Sequence, residues 1–137
     1  MAKTILGIDF GSTNTSIYKK HTGIVLKEPT MLAISESMGE MKIVDFGLNA
    51  KKMLGKTNED IEFVSPILNG TIYDMRLAES LLAYFINKIL YNNEKFEIVF
   101  SVPCGLNEEE ILNFKNLGLK LGASKVSLVP SVLMALL

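Results

Sequence analysis

The sequence predicts an α/β fold in which antiparallel hairpins come first and parallel strands alternating with helices come afterwards. Three observations predict it. Short β-type runs separated by turn residues fill the first third of the chain. An apolar face at helical spacing begins after Asp74. A nearly continuous apolar run, Phe96–Val102, is typical of a central strand covered on both faces, and a second helical segment follows it.

The stretch that carries chemistry is residues 4–18, which read TILGIDFGSTNTSIY. An apolar strand over residues 5–8 ends on Asp9, where a carboxylate is placed to hold Mg²⁺ through its waters. The turn that follows consists of four small residues, Gly11, Ser12, Thr13 and Asn14. Successive N–H groups and side-chain donors in such a turn can bind a phosphate, and glycine lets the backbone approach closely. An ordinary hairpin with a Ser/Thr/Asn turn fits the same residues.

The remaining elements are predicted in chain order. Strands are expected at residues 15–19, 24–26, 31–35, 42–46, 61–64, 96–102 and 126–129. Helices are expected at residues 47–54, 75–90 and 108–121, and another begins at Ser131. Asp74 and Asn107 are the expected N-caps, and Asn69-Gly70 is a strong turn signal. The order is that of a ribonuclease-H-like fold, with residues 29–65 as a small insert on a core of residues 1–28 and 66–137.

Composition narrows the class of protein. The chain has 137 residues, 48% of them hydrophobic, and a formal net charge of −1, so neither overall charge nor a basic block favours nucleic acid. One cysteine, Cys104, excludes an internal disulfide, and no apolar run reaches the length of a membrane span. We therefore expect a cytoplasmic protein. The last seven residues, SVLMALL, are almost wholly apolar, which predicts a longer chain truncated after residue 137 and self-association through residues 131–137.

Five blocks in order resemble the N-terminal half of bacterial actins of the rod-shape-determining MreB/Mbl family. They are LGIDFGSTNTSIY, HTGIVLKEPTMLAIS, AKKMLGKT with VSPILNGTIYDMRLAESLLAYFI, VFSVPCGLNEEE and LGASKVSLVPSVLMALL. The resemblance implies the first domain of an actin-like ATPase and an ATP- and Mg²⁺-binding cytoskeletal protein that forms filaments at the inner membrane surface and takes part in cell morphogenesis. It assigns Asp9 to Mg²⁺ and Gly11, Ser12, Thr13 and Asn14 to the phosphates.

Two departures bear on activity. The family usually has a Glu-Glu-Pro run whose second acid orients the hydrolytic water, and this chain reads Pro130-Ser131-Val132 there. A serine cannot act as an anionic base, and a positioned base typically contributes about 10²–10⁴-fold in rate, so slow or absent hydrolysis is expected. The second phosphate loop and the adenine pocket belong to the family's other half.

The short run Ile89-Leu90-Tyr91 lies near the family's lipid contact, but it fits the end of a buried helix face better.

Other functions remain open at this stage. A DnaK-like chaperone or reactivating factor shares the phosphate hairpin, and so do sugar and acetate kinases. A degenerate fragment that acts as a protein-interaction module without nucleotide would fit the apolar C-terminal residues and the serine at position 131.

Overall fold

The computed structural model describes residues 3–56, 60–91 and 93–131, and these contain ten strands and three helices. The strands are β1 (Thr4–Phe10), β2 (Asn14–Lys19), β3 (Gly23–Pro29), β4 (Leu32–Ser37), β5 (Glu40–Phe46), β6 (Ile61–Val64), β7 (Ile67–Leu68), β8 (Thr71–Ile72), β9 (Phe96–Val102) and β10 (Val126–Pro130). The helices are α1 (Gly47–Lys52), α2 (Met75–Asn87) and α3 (Glu108–Lys120).

The central sheet has five strands in the order β10-β9-β1-β2-β3. The hairpins β1–β2 and β2–β3 are antiparallel, whereas β9 runs parallel to both β1 and β10. This is the mixed sheet that the sequence predicts. Strands β5-β4-β6 form a second sheet, and β7–β8 form a small hairpin. The second sheet lies within the expected insert of residues 29–65, and the division into core and insert stays a prediction.

The main core lies on one face of the central sheet. Alternate side chains of β1, namely Leu6, Ile8 and Phe10, are buried there, because successive side chains of a strand point to opposite faces. Phe100 of β9 shares this core and packs on Phe114 of α3, with ring centroids 5.3 Å apart. Helix α2 adds a buried stripe at helical spacing, formed by Leu77, Ala78, Leu81, Leu82, Phe85 and Ile86.

Both long helices begin where the sequence predicts. The Asp74 carboxylate accepts the N–H of Leu77 and begins α2. Asn107 and Glu110 form a reciprocal capping box at the start of α3. Three acidic residues occupy the first turn of α3, where the helix dipole favours negative charge.

Helices α1 and α2 are shorter than expected, ending at Lys52 and Asn87 and not at residues 54 and 90. The reason is the same in both. After each helix, most N–H groups bond to carbonyls three residues back, as Leu54 does to Lys51 and Ile89 to Ile86, and only Leu90 bonds four residues back, to Ile86. The chain therefore tightens into turns that extend the apolar pattern without continuing the α-helix.

Strands β3, β4 and β5 extend further than expected. The β4–β5 hairpin continues to a two-residue turn, Met38-Gly39, in which both residues have positive φ (54° and 79°), as tight hairpins favour. Strand β3 continues through Pro29, which is tolerated because β3 is an edge strand. The predicted turn at Asn69-Gly70 is present between β7 and β8.

Glu28 of β3 connects helix α1 to the segment that follows α2. One carboxylate oxygen accepts the Leu48 N–H at the start of α1 (2.9 Å), and the other pairs with the Lys88 ammonium just after α2 (2.8 Å). The same ammonium lies 4.4 Å from the centre of the Tyr84 ring, which stacks on Phe46. Helix α1 is therefore held to α2 through charged and aromatic contacts.

Among the described residues, no helix is long and apolar enough to cross a membrane. Ser131 is the last residue that the structure describes, so the helix expected to begin there stays a prediction. The rest of the predicted self-association segment, residues 132–137, lies outside the described residues.

Candidate functional site

Three parallel strands, β1, β9 and β10, end side by side at one edge of the central sheet. Asp9 pairs with Ser101 of β9, and Ser101 pairs with Val129 of β10. The segments that follow these strands therefore meet at this edge: the turn after β1, the Pro103 loop and Ser131. The carboxyl edge of parallel strands is the usual place for a ligand in an open α/β sheet.

The turn after β1 is a tight β-hairpin. The Gly11 N–H donates to the Asn14 carbonyl (3.0 Å), which leaves Ser12 and Thr13 as the two residues at the tip. A Cβ atom at Gly11 would lie 2.8 Å from that carbonyl oxygen. Glycine is therefore required here by a backbone contact within the turn, and the side chains of Ser12, Thr13 and Asn14 are all exposed.

The carbonyls at the tip are held by the protein. The Ser65 hydroxyl donates to the Ser12 carbonyl (3.1 Å), and the Thr30 N–H donates to the Thr13 carbonyl (2.9 Å). No acceptor for the N–H groups of Ser12 and Thr13 is found in the described residues. Consecutive N–H groups that face away from their own protein form a concavity suited to an anion.

Asp9 lies beside this turn, and its side chain is exposed. The protein around it nevertheless removes part of the water shell of the carboxylate, and this desolvation raises its pKa. A phosphate at the tip of the turn would add a second negative charge nearby. A divalent cation between the two groups would offset both effects, so the arrangement suits a phosphate accompanied by Mg²⁺.

A buried pair of hydroxyls lies beneath the turn. The oxygens of Thr15 and Thr30 are 2.7 Å apart, and both residues are almost fully buried (0% and 2% exposed). Thr30 therefore contacts the base of the hairpin through its hydroxyl and the tip through its N–H. Sequence inspection missed Thr30 and Ser65, because both reach the turn from distant positions that no local motif reveals.

Ser131 lies at the same edge, two strands away from Asp9. At ordinary strand spacing β1 and β10 lie about 10 Å apart, and Ser131 follows Val129, the β10 residue in register with Asp9, by two positions. Its hydroxyl donates to the Val102 carbonyl at the end of β9 (3.1 Å). The structure thus puts Ser131 on the same side of the sheet as the turn, with its hydroxyl engaged by the backbone.

The structure also places His21 and the run Ile89-Leu90-Tyr91. His21 is exposed in the β2–β3 turn. In the part of the chain that the structure describes, no three His, Cys, Asp or Glu side chains form a group that could hold a metal ion. Ile89 and Leu90 pack partly against the core and Tyr91 is 82% exposed, which favours the buried helix face over a lipid contact for the first two.

Comparison with known families decides the relationship. The family described as MreB/Mbl protein matches residues 3–137. The chain belongs to the MreB/Mbl family. Its relatives include the cell shape-determining protein MreB of Pasteurella multocida (strain Pm70), which is 37% identical over 129 residues, and the cell shape-determining protein Mbl of Bacillus subtilis (strain 168), which is 32% identical over 125 residues. Each match covers 90% of this chain and 37% of the relative, so the chain spans little more than a third of their length.

Solved structures agree with this assignment. MreB5 of Spiroplasma citri bound to ADP superposes with a TM-score of 0.81 at 28% identity, covering 94% of this chain and 38% of the other. The same protein bound to AMPPNP gives 0.83 at 27% identity, covering 95% and 39%. The MamK double helical filament gives 0.78 at 14% identity, covering 97% and 42%, and shares the fold. The family match favours neither the chaperone branch nor the kinases.

Proposed function

We propose that the turn of Gly11, Ser12, Thr13 and Asn14 binds the phosphates of ATP and that Asp9 holds the accompanying Mg²⁺ through water. We further propose that the chain is part of a longer protein, and that this longer protein is a filament-forming, ATP-binding cell-shape protein. The observation that carries the proposal is the orientation of the tip of the turn. Protein donors hold the Ser12 and Thr13 carbonyls, and the N–H groups of the same residues are left for an anion. In support, a family member has been solved with ADP and with AMPPNP.

Mg²⁺ would supply positive charge between the phosphate oxygens and the Asp9 carboxylate. The hydroxyls of Ser12 and Thr13 and the amide of Asn14 are exposed around the tip, so they can add donors to the backbone N–H groups. These residue types fit a phosphate with its cation better than they fit an apolar ligand.

The chain is expected to supply one side of the nucleotide site. It covers 37% of the length of its MreB relatives, and the resemblance places the second phosphate loop and the adenine pocket in the family's other half. A single hairpin encloses little of a nucleotide, whereas small-molecule sites usually bury most of the ligand. We therefore expect weak binding by this chain that depends on the triphosphate and on Mg²⁺.

Hydrolysis is expected to be slow or absent. The residue at the position of the expected base is Ser131, and its hydroxyl donates to a backbone carbonyl. A serine in that state neither removes a proton from water nor carries the negative charge that would orient it.

Filament formation and a role in cell shape are proposed for the longer protein. They are supported by relatives at 32–37% identity that are cell shape-determining proteins. Self-association of this chain through residues 131–137 stays a prediction. Sedimentation at high micromolar concentration tests it, and a clean monomer would contradict it. A protein-interaction module without nucleotide would show self-association with no response to ATP.

The experiment for the nucleotide site is a calorimetric titration of the 137-residue chain with Mg²⁺-ATP. Asp9→Ala removes the proposed cation contact, and Asp60→Ala is the matched control, because Asp60 is an exposed aspartate in the turn just before β6. We expect binding by the wild type and the control and a marked loss in Asp9→Ala. Equal binding by all three proteins, or none by the wild type, would contradict the proposal.

A further inference from the structure

Ser65 contacts the proposed phosphate-binding turn of residues 11–14, called the phosphate turn below, from a distant part of the chain. It lies between β6 and β7, and its hydroxyl donates across 53 positions of sequence to the Ser12 carbonyl, at 3.1 Å. The Ile67 carbonyl is the alternative acceptor at 3.3 Å, and the Ile67 N–H points at the Ser65 oxygen from 3.4 Å. The shorter contact to Ser12 is a link between two segments of the chain that share no strand pairing.

A peptide group is planar and trans, so its C=O and the following N–H point in opposite directions. A hydrogen bond that fixes the Ser12 carbonyl therefore also fixes the direction of the Thr13 N–H. With the Ser12 carbonyl turned toward Ser65, the Thr13 N–H faces away from it, toward the open side of the turn. Without this bond only the Gly11–Asn14 closure and the Thr30 contact would restrain the 12–13 peptide, so the direction of the Thr13 N–H would be less closely fixed.

The position of Ser65 is itself set by the helix that follows. The next residue, Pro66, is buried, and its carbonyl accepts the N–H groups of Tyr73 (2.7 Å) and Asp74 (3.2 Å). Asp74 in turn is the N-cap of α2. The position of Ser65 relative to the start of α2 is therefore fixed by the buried Pro66 and by the two backbone hydrogen bonds that its carbonyl accepts.

We infer that Ser65 is a positioning residue for the phosphate turn, acting through the Ser12 carbonyl to aim the Thr13 N–H at the anion. The part of this inference that concerns a ligand rests on the proposed function. The part that concerns the peptide plane does not. Ser65 thus connects the β6–β7 junction and the start of α2 to the candidate site.

The test compares Ser65→Ala with Ser65→Thr, which keeps the hydroxyl, and with Thr71→Ala as a matched control. Thr71 is suitable because its hydroxyl also donates to a nearby backbone carbonyl, that of Leu68 at 3.0 Å, without contacting the turn. The first measurement is the residual dipolar coupling of the Thr13 N–H in each ligand-free protein, since this coupling reports the direction of the bond. The second is the dissociation constant for Mg²⁺-ATP.

Of the three variants, we expect only Ser65→Ala to change the Thr13 coupling and to weaken Mg²⁺-ATP binding. The affinity should fall about two- to tenfold, which is the effect of losing the contribution of one hydrogen bond. An unchanged Thr13 coupling in Ser65→Ala would overturn the inference, whatever the wild type binds. A changed coupling with unchanged affinity would overturn the link to the anion. If the wild-type chain bound no Mg²⁺-ATP, the proposed function would fail for this chain, and the coupling would still decide whether Ser65 orients the turn.

Discussion

The hydroxyl pair of Thr15 and Thr30 is the sharpest test of how the β1–β2 hairpin is held together. The two side chains are 0% and 2% exposed, and their oxygens lie 2.7 Å apart. Replacing one threonine by valine leaves the other hydroxyl buried without its partner. Such a loss typically costs about 1–3 kcal/mol, whereas replacing both partners by apolar groups is much less costly.

We therefore expect Thr15→Val and Thr30→Val each to lower the free energy of unfolding by about 1–3 kcal/mol, and the double variant to lose clearly less than the sum. The coupling between the two positions should be about 0.5–3 kcal/mol, as for other residues in direct contact. Each single change should lower the midpoint of urea unfolding by about 1 M at a typical slope of 2 kcal/mol per M.

The assay is equilibrium unfolding in urea followed by circular dichroism, with the slopes compared to confirm that the unfolding transition is the same in every variant. Thr71→Val is the matched control. Its hydroxyl donates to the Leu68 carbonyl at the surface, so we expect a change within about 0.5 kcal/mol. If the effects of the two single changes on the free energy of unfolding were strictly additive, the two hydroxyls would not depend on one another, and the proposed coupling through their hydrogen bond would be wrong.

Three further predictions follow from close contacts and charge. Gly11→Ala should destabilise the hairpin and weaken Mg²⁺-ATP binding, since the new Cβ would lie 2.8 Å from the Asn14 carbonyl oxygen; unfolding and calorimetry check both effects. Asp9→Asn should leave the ligand-free chain as stable as the wild type or slightly more stable at neutral pH. Burial raises the pKa of this carboxyl, so its ionisation on going above about pH 4 opposes folding, and the variant should lose that part of the pH dependence in urea titrations at several pH values. Gly118→Ala should lower the free energy of unfolding by about 1–3 kcal/mol despite the better helix propensity of alanine, because its Cβ would lie 2.5 Å from a methyl of Val126. Adding Val126→Ala to the same chain should restore much of the lost stability.

Each of these three has an outcome that contradicts it. Full nucleotide affinity in Gly11→Ala would show that the tight turn is not what binds the phosphates. A lower stability of Asp9→Asn across the whole pH range would show that the carboxylate stabilises the fold, contrary to the direction of its pKa. A Gly118→Ala protein more stable than the wild type would show that α3 and β10 are not in close contact at that point.

The sequence predicted the parts of the fold that depend on local chemistry. The Asp74 and Asn107 caps, the Asn69-Gly70 turn and the apolar run of β9 each rest on residues close together in the chain, and all are present. The end of α2 was placed three residues too late, because the apolar pattern continues through Ile89 and Leu90 while the hydrogen bonds change to a tighter spacing. Apolar spacing reports which face is buried and not where the helix ends.

The same distinction applies to the site. Asp9 and the four turn residues could be identified from the sequence because they lie within six positions of one another and because a carboxylate followed by small hydrogen-bond donors is typical of a phosphate site with a cation. The contacts that hold the turn could not, since Ser65 and Thr30 reach it from 53 and 17 positions away from the residues whose carbonyls they bind. Glu28 is a further case, as its partners Leu48 and Lys88 are 20 and 60 positions away. Such contacts are consequences of topology, and only the folded chain brings them together.

The most direct test of phosphate binding by residues 11–14 is to record which backbone amide resonances of this chain shift when Mg²⁺-ATP is added up to millimolar concentration. This measurement detects weak binding and reports its location together. We predict that the largest shifts occur at Ser12, Thr13 and Asn14. We also predict that Asp9 responds when Mg²⁺ is present and that the N-terminus of α3 at Glu108 stays unchanged. Shifts centred on α3, or no shift at the turn, would contradict the claim that this hairpin is the phosphate-binding element of the chain.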